Sequence, residues 1–112
     1  MEQNDLGKCT SGLQPNVAAC LSYAVGLITG IIFYLTEKDN KFVRFHAMQS
    51  IITFGALFVA AIVIGIIPVL GWIIALSIHI LSIILWVILM IKAYQGEFFK
   101  LPIAGDIAEQ NS

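Results

Sequence analysis

From residue 46 to residue 90 the chain reads HAMQSIITFGALFVAAIVIGIIPVLGWIIALSIHILSIILWVILM, without one Asp, Glu, Lys or Arg. A helix rises ~1.5 Å per residue and needs about 20 residues to cross the hydrocarbon core of a bilayer. Continued as one helix over residues 47–95, the segment would measure roughly 73 Å, more than twice that core, so it must fold back. Pro68 and Gly71 mark the place. Proline removes a helical donor and restrains the residue before it, and glycine permits the reversal. The turn Pro68-Val69-Leu70-Gly71 is uncharged, which predicts that residues 43–67 and 72–94 insert together as a helical hairpin. Trp72, next to the turn, suits the membrane interface.

Upstream, residues 17–35 form another run free of Asp, Glu, Lys and Arg. The expected fold class is therefore an all-α membrane protein with three transmembrane helices: a first helix, a charged connector and the helical hairpin. The spans fall at about 17–36, 43–67 and 72–94. A short polar N-terminal head (1–16) and an interfacial C-terminal tail (95–112) complete a single membrane domain over residues 1–112. Glu2 and Asp5 against Lys8 give the head the wrong charge for a signal peptide, so the first run is read as a retained span. Hydrophobic residues make up 59% of the 112 and charged ones 12%, with a mean hydropathy of +0.92. Those values exclude both an ordinary soluble domain and a disordered chain. A net charge of −1 gives no basic surface for nucleic acid. Cys9 in the head and Cys20 in the first run suggest neither a disulfide framework nor a metal site.

The first connector, Thr36-Glu37-Lys38-Asp39-Asn40-Lys41, is dense in charge, and Asn40 or Asp39 is the expected N-cap of the second helix. Lys38, Lys41 and Arg44 recur every three residues and share a helical face, with His46 following. They are expected at anionic lipid headgroups, with Phe42 and Phe45 among the lipid tails. Three spans would place the N-terminus and the Pro68 turn on one side. Lys38, Lys41, Arg44, Lys92 and Lys100 would lie on the other, so the positive-inside rule puts the N-terminus outside and the C-terminus in the cytoplasm. After the third helix, Gly96 is the expected C-cap. Asp106-Ile107-Ala108-Glu109 resembles a capping box in a segment too short for a stable helix.

Within the spans, Ala18, Ser22, Gly26 and Gly30 form a stripe of small residues at four-residue spacing, suited to close helix packing inside the bundle or between copies. Gln49 and Ser50 are costly in lipid and are expected to face the bundle. His79, with Ser82 on the same face, is an intramembrane ionisable group of the kind found in proton and ion paths, and equally of the kind that packs as a neutral imidazole. Catalytic signatures are absent: there is no P-loop, no GxSxG elbow, no HExxH and no dinucleotide fingerprint. No cofactor is indicated, and the expectation is a non-enzymatic protein.

The string Glu37-Lys38-Asp39-Asn40-Lys41-Phe42-Val43-Arg44-Phe45-His46-Ala47-Met48-Gln49-Ser50 resembles the signature of a small prokaryotic integral-membrane family of unknown function. That family is similar to the import component of the chloroplast inner-envelope translocon. Gly12-Leu13-Gln14-Pro15-Asn16-Val17-Ala18-Ala19, Ala93-Tyr94-Gln95-Gly96-Glu97 and Lys100-Leu101-Pro102-Ile103-Ala104-Gly105-Asp106 fit the same pattern. The resemblance implies an all-helical membrane protein linked to translocation or to assembly of a membrane complex, and it brings no catalytic residues. The function expected is a membrane subunit or assembly factor, with the bilayer and either copies of itself or a larger complex as partners. The alternative is a small oligomeric channel or proton-linked carrier using His79.

Overall fold

The computed structural model describes residues 7, 9, 10 and 12–112, so Glu2, Asp5 and Lys8 of the charge argument lie outside the described residues. Among the described residues the chain is all-helical: α1 (Pro15–Ala24), α2 (Leu27–Thr36), α3 (Lys41–Gly65), α4 (Leu70–Tyr94) and α5 (Ala104–Gln110). Helices α3 and α4 form the expected hairpin. Each has 25 residues and is apolar enough to cross a membrane, with hydropathies of 2.2 and 2.7. Asn40 starts α3, its side chain accepting a hydrogen bond from the Val43 amide at 3.0 Å. Gly96, with φ at 82°, closes the end of α4.

The expected first span does not form. Gly26 takes φ 55° and ψ −120°, a conformation that only glycine enters at little cost, and the apolar run breaks there into α1 and α2. The two pieces do not continue in one direction. Along α1, Asn16 Nδ2 donates to the Tyr94 carbonyl at 2.8 Å, and Trp86 Nε1 donates to the Tyr23 carbonyl at 2.6 Å. Helix α1 therefore runs inward from the end where α4 finishes. Along α2, Leu27 lies beside Gly55, Gly30 sits against Ala47 and Ser50, and Arg44 Nη1 donates to the Tyr34 carbonyl at 2.9 Å. Helix α2 thus runs back to the end where α3 begins. The amide of Thr10 bonds the Glu37 carboxylate at 2.5 Å, joining the head to the connector.

Helices α1 and α2 are thus a re-entrant hairpin. Ten residues of helix cover ~15 Å, about half the hydrocarbon thickness. The consequence for topology is a correction: among the described residues, Thr10 and the start of α1, the connector and the C-terminal segment share one end of the molecule, and the Pro68 turn occupies the other. A 20-residue apolar run has the same hydropathy whether it crosses or turns back, which is why the two were not separable by composition.

The C-terminal segment also departs from expectation. Residues 97–101 run along α3 without regular structure, residues 102–103 turn, and α5 returns to the connector end, where the Tyr34 hydroxyl donates to the Asn111 carbonyl at 2.7 Å. Its seven residues would be unstable alone. Packing on α3 holds them, and the exposed Lys100–Glu109 ion pair adds little.

The two sharp reversals share a pentapeptide pattern, Ile67-Pro68-Val69-Leu70-Gly71 and Leu101-Pro102-Ile103-Ala104-Gly105. Val69 (φ 61°, ψ −69°) and Ile103 (φ 67°, ψ −61°) each centre a strained γ-turn, closed by Leu70 N to Pro68 O and Ala104 N to Pro102 O, both 2.7 Å. The closing glycine is steric in both. A Cβ on Gly71 would fall 2.1 Å from the Ile64 carbonyl oxygen, and one on Gly105 would fall 2.5 Å from Lys100 Cβ.

Candidate functional site

Tyr23, His46 and Gln49 gather where α1, α3 and residues 97–101 meet, with Ser50 beside them on α3. His46, Gln49 and Ser50 fall on one face of α3 and are wholly buried, as is Tyr23 of α1. His46 Nε2 lies 2.7 Å from the Glu97 carbonyl, and Nδ1 lies 2.6 Å from the Tyr23 hydroxyl. A carbonyl can only accept, so Nε2 carries the proton and Nδ1 accepts from Tyr23. Gln49 Nε2 donates to the same hydroxyl at 3.0 Å and to the Phe99 carbonyl at 2.9 Å, while its Oε1 accepts from the Leu101 amide at 2.9 Å. Every proton in this lattice has an acceptor. Its hydrogen bonds to residues 97, 99 and 101 are all to backbone atoms, at the two-residue period of an extended chain. The segment is strapped to α3 as a neighbouring strand would be.

A second set of bonds repairs the break between α1 and α2, which frees carbonyls at membrane depth, where each unsatisfied group is costly. Thr29 Oγ1 donates to the Ser22 carbonyl and accepts from the Val25 amide, both at 3.1 Å. Trp86 takes the Tyr23 carbonyl, and Ser50 donates to the Gly26 carbonyl at 2.9 Å.

The small-residue stripe is divided by this break. Ala18 and Ser22 lie buried on α1; Gly26 makes the turn beside Phe54; Gly30 packs tightly on α3, where a Cβ would lie 3.0 Å from the Ala47 carbonyl oxygen. Of the residues expected at headgroups, Lys38 and Lys41 are exposed. Arg44 instead turns inward: its guanidinium lies 4.0 Å over the Tyr34 ring, and Nε donates to the Ser112 carbonyl at 3.1 Å. His46 is buried rather than at headgroups, because Phe42, Phe45 and Phe98 enclose it. Phe42 and Phe45 are 2% and 1% exposed, so they are core and not lipid-facing.

His79 and Ser82 lie apart from the lattice. His79 is exposed, and with Ser82, Phe54 and Ala61 it borders a cavity of about 170 Å³ between α3 and α4. Ser82 donates to the Ile78 carbonyl of its own helix at 2.8 Å. Pro68 lies in the far turn, while Gly71, expected in that turn, is the second residue of α4, close against Ile64. Sequence reasoning missed Tyr23, Trp86 and Thr29. The available signal was hydrogen-bonding side chains flanking a glycine inside an apolar run.

The family described as the magnetosome magnetite crystal formation protein family matches residues 13–108. A UPF0132 membrane protein of Methanocaldococcus jannaschii is 51% identical over 107 residues, covering 96% of this chain and 96% of the relative. A second from that organism is 50% identical over 99 residues, covering 88% of this chain and 71% of its own length. One from Archaeoglobus fulgidus is 48% identical over 98 residues, covering 88% and 95%. No solved structure matches the chain.

Proposed function

We propose, because the chain belongs to the magnetosome magnetite crystal formation protein family of membrane proteins, that it is a non-enzymatic scaffold subunit, assembling with copies of itself or within a larger membrane complex. One observation carries this reading. His46, Gln49 and Ser50, the polar groups on α3 best suited to chemistry, are spent on hydrogen bonds within the chain. They hold a shape, and none of the three is left as a free nucleophile or base. The family's description concerns magnetite crystal formation in magnetosomes, and for this chain we take from it a supporting role in a membrane. A translocon-like version of the same reading rests on the residue 37–50 motif.

Orientation is part of the proposal. Lys38, Lys41, Arg44, Lys92 and Lys100 all belong to the end that carries the connector and the C-terminal segment, and residues 66–72 hold no charge. The positive-inside rule then puts the connector end, with both terminal segments, in the cytoplasm.

The test is in-cell photocrosslinking from exposed positions, Phe58 and Ile62 on the hairpin and Lys38 on the connector, with captured bands identified by mass spectrometry. Discrete bands of the chain itself or of a defined membrane protein support a scaffold. Capture of lipid alone at all three positions overturns it.

The alternative, a channel or proton-linked carrier, is favoured by one feature: His79 is exposed at membrane depth, where neighbouring copies would line any polar path. It predicts pH-dependent flux in liposomes that His79→Leu abolishes, and equal flux in both removes it.

A further inference from the structure

The two ends of the molecule differ in cross-section. Around α3 from residue 41 to about residue 57, and around α4 from residue 85 to residue 94, the chain adds α1, α2, the extended segment and α5. The marks of their depth are Asn16 at Tyr94, Tyr23 at Trp86, Gly26 at Phe54 and Ile103 at Ala56. Beyond that level, among the described residues, only α3 and α4 continue, and from residue 55 to residue 88 Gly71 alone is buried.

The broad end is membrane-embedded, since the outer faces of α1 and α2 expose Leu21, Val25, Ile28, Ile31, Ile32 and Leu35. On another side, α5 and the segment before it expose Lys100, Asp106 and Glu109, so the apolar depth of the broad end belongs to α1 and α2. A helix 10–12 Å across occupies roughly 80–110 Å² of membrane area, so α1 and α2 alone add about 160–220 Å² to one leaflet and nothing to the other. The added mass cannot fold away cheaply. It is fastened by Trp86 to α1, by Ser50 to the break, and by His46 and Gln49 to the extended segment.

We propose that this chain is a membrane wedge, a role beyond scaffolding, whose broad end expands the leaflet it enters and favours bilayers curved convexly toward its termini. The ligand is the lipid surface itself, recognised by shape, as curvature-sensitive interfacial helices recognise it. Here the selective element is the half-depth α1–α2 hairpin anchored to a full-depth one.

The decisive readout is how orientation depends on vesicle diameter. The full chain, carrying a protease-cleavable N-terminal tag, is co-micellised with phosphatidylcholine, and vesicles form by detergent removal. They are separated by size and treated with protease from outside. In vesicles of about 30 nm, the expected fraction with tags outside approaches nine in ten, falling toward one half at about 400 nm. The same fraction at both diameters overturns the wedge, whether that fraction is one half or heavily one-sided. A one-sided but size-independent result reflects charge at the broad end and not its area.

Discussion

The broad and narrow ends both contain long apolar helices but obey different rules. At the narrow end, α3 and α4 meet lipid on nearly every side, and the hydroxyls of Ser77 and Ser82 bond back to their own helix at Ile73 and Ile78. At the broad end, Tyr23, His46, Gln49, Ser50 and Trp86 each reach another segment. Hydropathy says where lipid is. The buried polar side chains say where segments gather, because in lipid helix association depends on close packing and interhelical hydrogen bonds. Substitutions should therefore be costly at the broad end and mild at the narrow one, with one exception.

That exception is the largest effect expected. Gly71 lies at the narrow end, yet a Cβ there would meet the Ile64 carbonyl oxygen at 2.1 Å, and backbone cannot yield as a side chain can. Gly71→Ala is expected to destabilise the hairpin by about 3 kcal/mol or more in thermal or SDS unfolding of detergent-purified protein. Gly65→Ala, six residues earlier in open space, should be neutral or gain up to ~1 kcal/mol of helix propensity. Equal effects at the two sites would break the assignment of the turn.

Next comes Gln49→Leu, which keeps volume at the broad end but removes the bonds to Tyr23, Phe99 and Leu101. Each partner left unpaired carries a desolvation penalty, moderated in membranes because the unfolded state also finds partners; the expected loss is about 2–4 kcal/mol. Limited proteolysis between residues 97 and 103 should rise with it. Loss of stability without new cleavage there would mean that the amide serves the α1–α3 contact more than the strapped segment.

How much of this was legible follows the same division. The narrow end could be read outright: residues 46–90 are too long and too apolar for anything but a hairpin, and Pro68 and Gly71 say where it turns. Asn40 and Gly96 were legible as caps because each acts through local backbone chemistry. The broad end was not. Gly26 and Gly30 look like one packing motif on a continuous helix, whereas Gly26 breaks the chain and Gly30 alone packs closely. The break depends on partners far along the sequence, Ser50 and Trp86, that no local pattern names. Gln49 was expected inside the bundle, but its contact with residues 99 and 101 needs the C-terminal segment to come back, which its mixed polarity did not show. The repeat of Pro68-Val69-Leu70-Gly71 in Pro102-Ile103-Ala104-Gly105 was present in the sequence, and its first copy already marked a reversal.

The smallest effect on the fold, and the one that probes the outermost rung of the broad end, is at Cys9. Burial pushes its thiol up to about 11, with the Glu37 carboxylate adding to the shift through its charge and its hydrogen bond. Only the thiolate reacts, and a raised value withholds it until the pH passes about 11. Near pH 8, maleimide should therefore label Cys9 on the order of a hundredfold more slowly than an exposed cysteine. In a Cys20→Ser background, Glu37→Gln removes the charge while keeping an oxygen for the Thr10 amide. Because burial is the larger cause, the rate should recover by about tenfold or less, with thermal stability nearly unchanged. Full-speed labelling of the unsubstituted chain would mean that the head does not pack on the connector. The broad end would then begin at α1, and its contrast with the narrow end would rest on the re-entrant hairpin and the strapped segment alone.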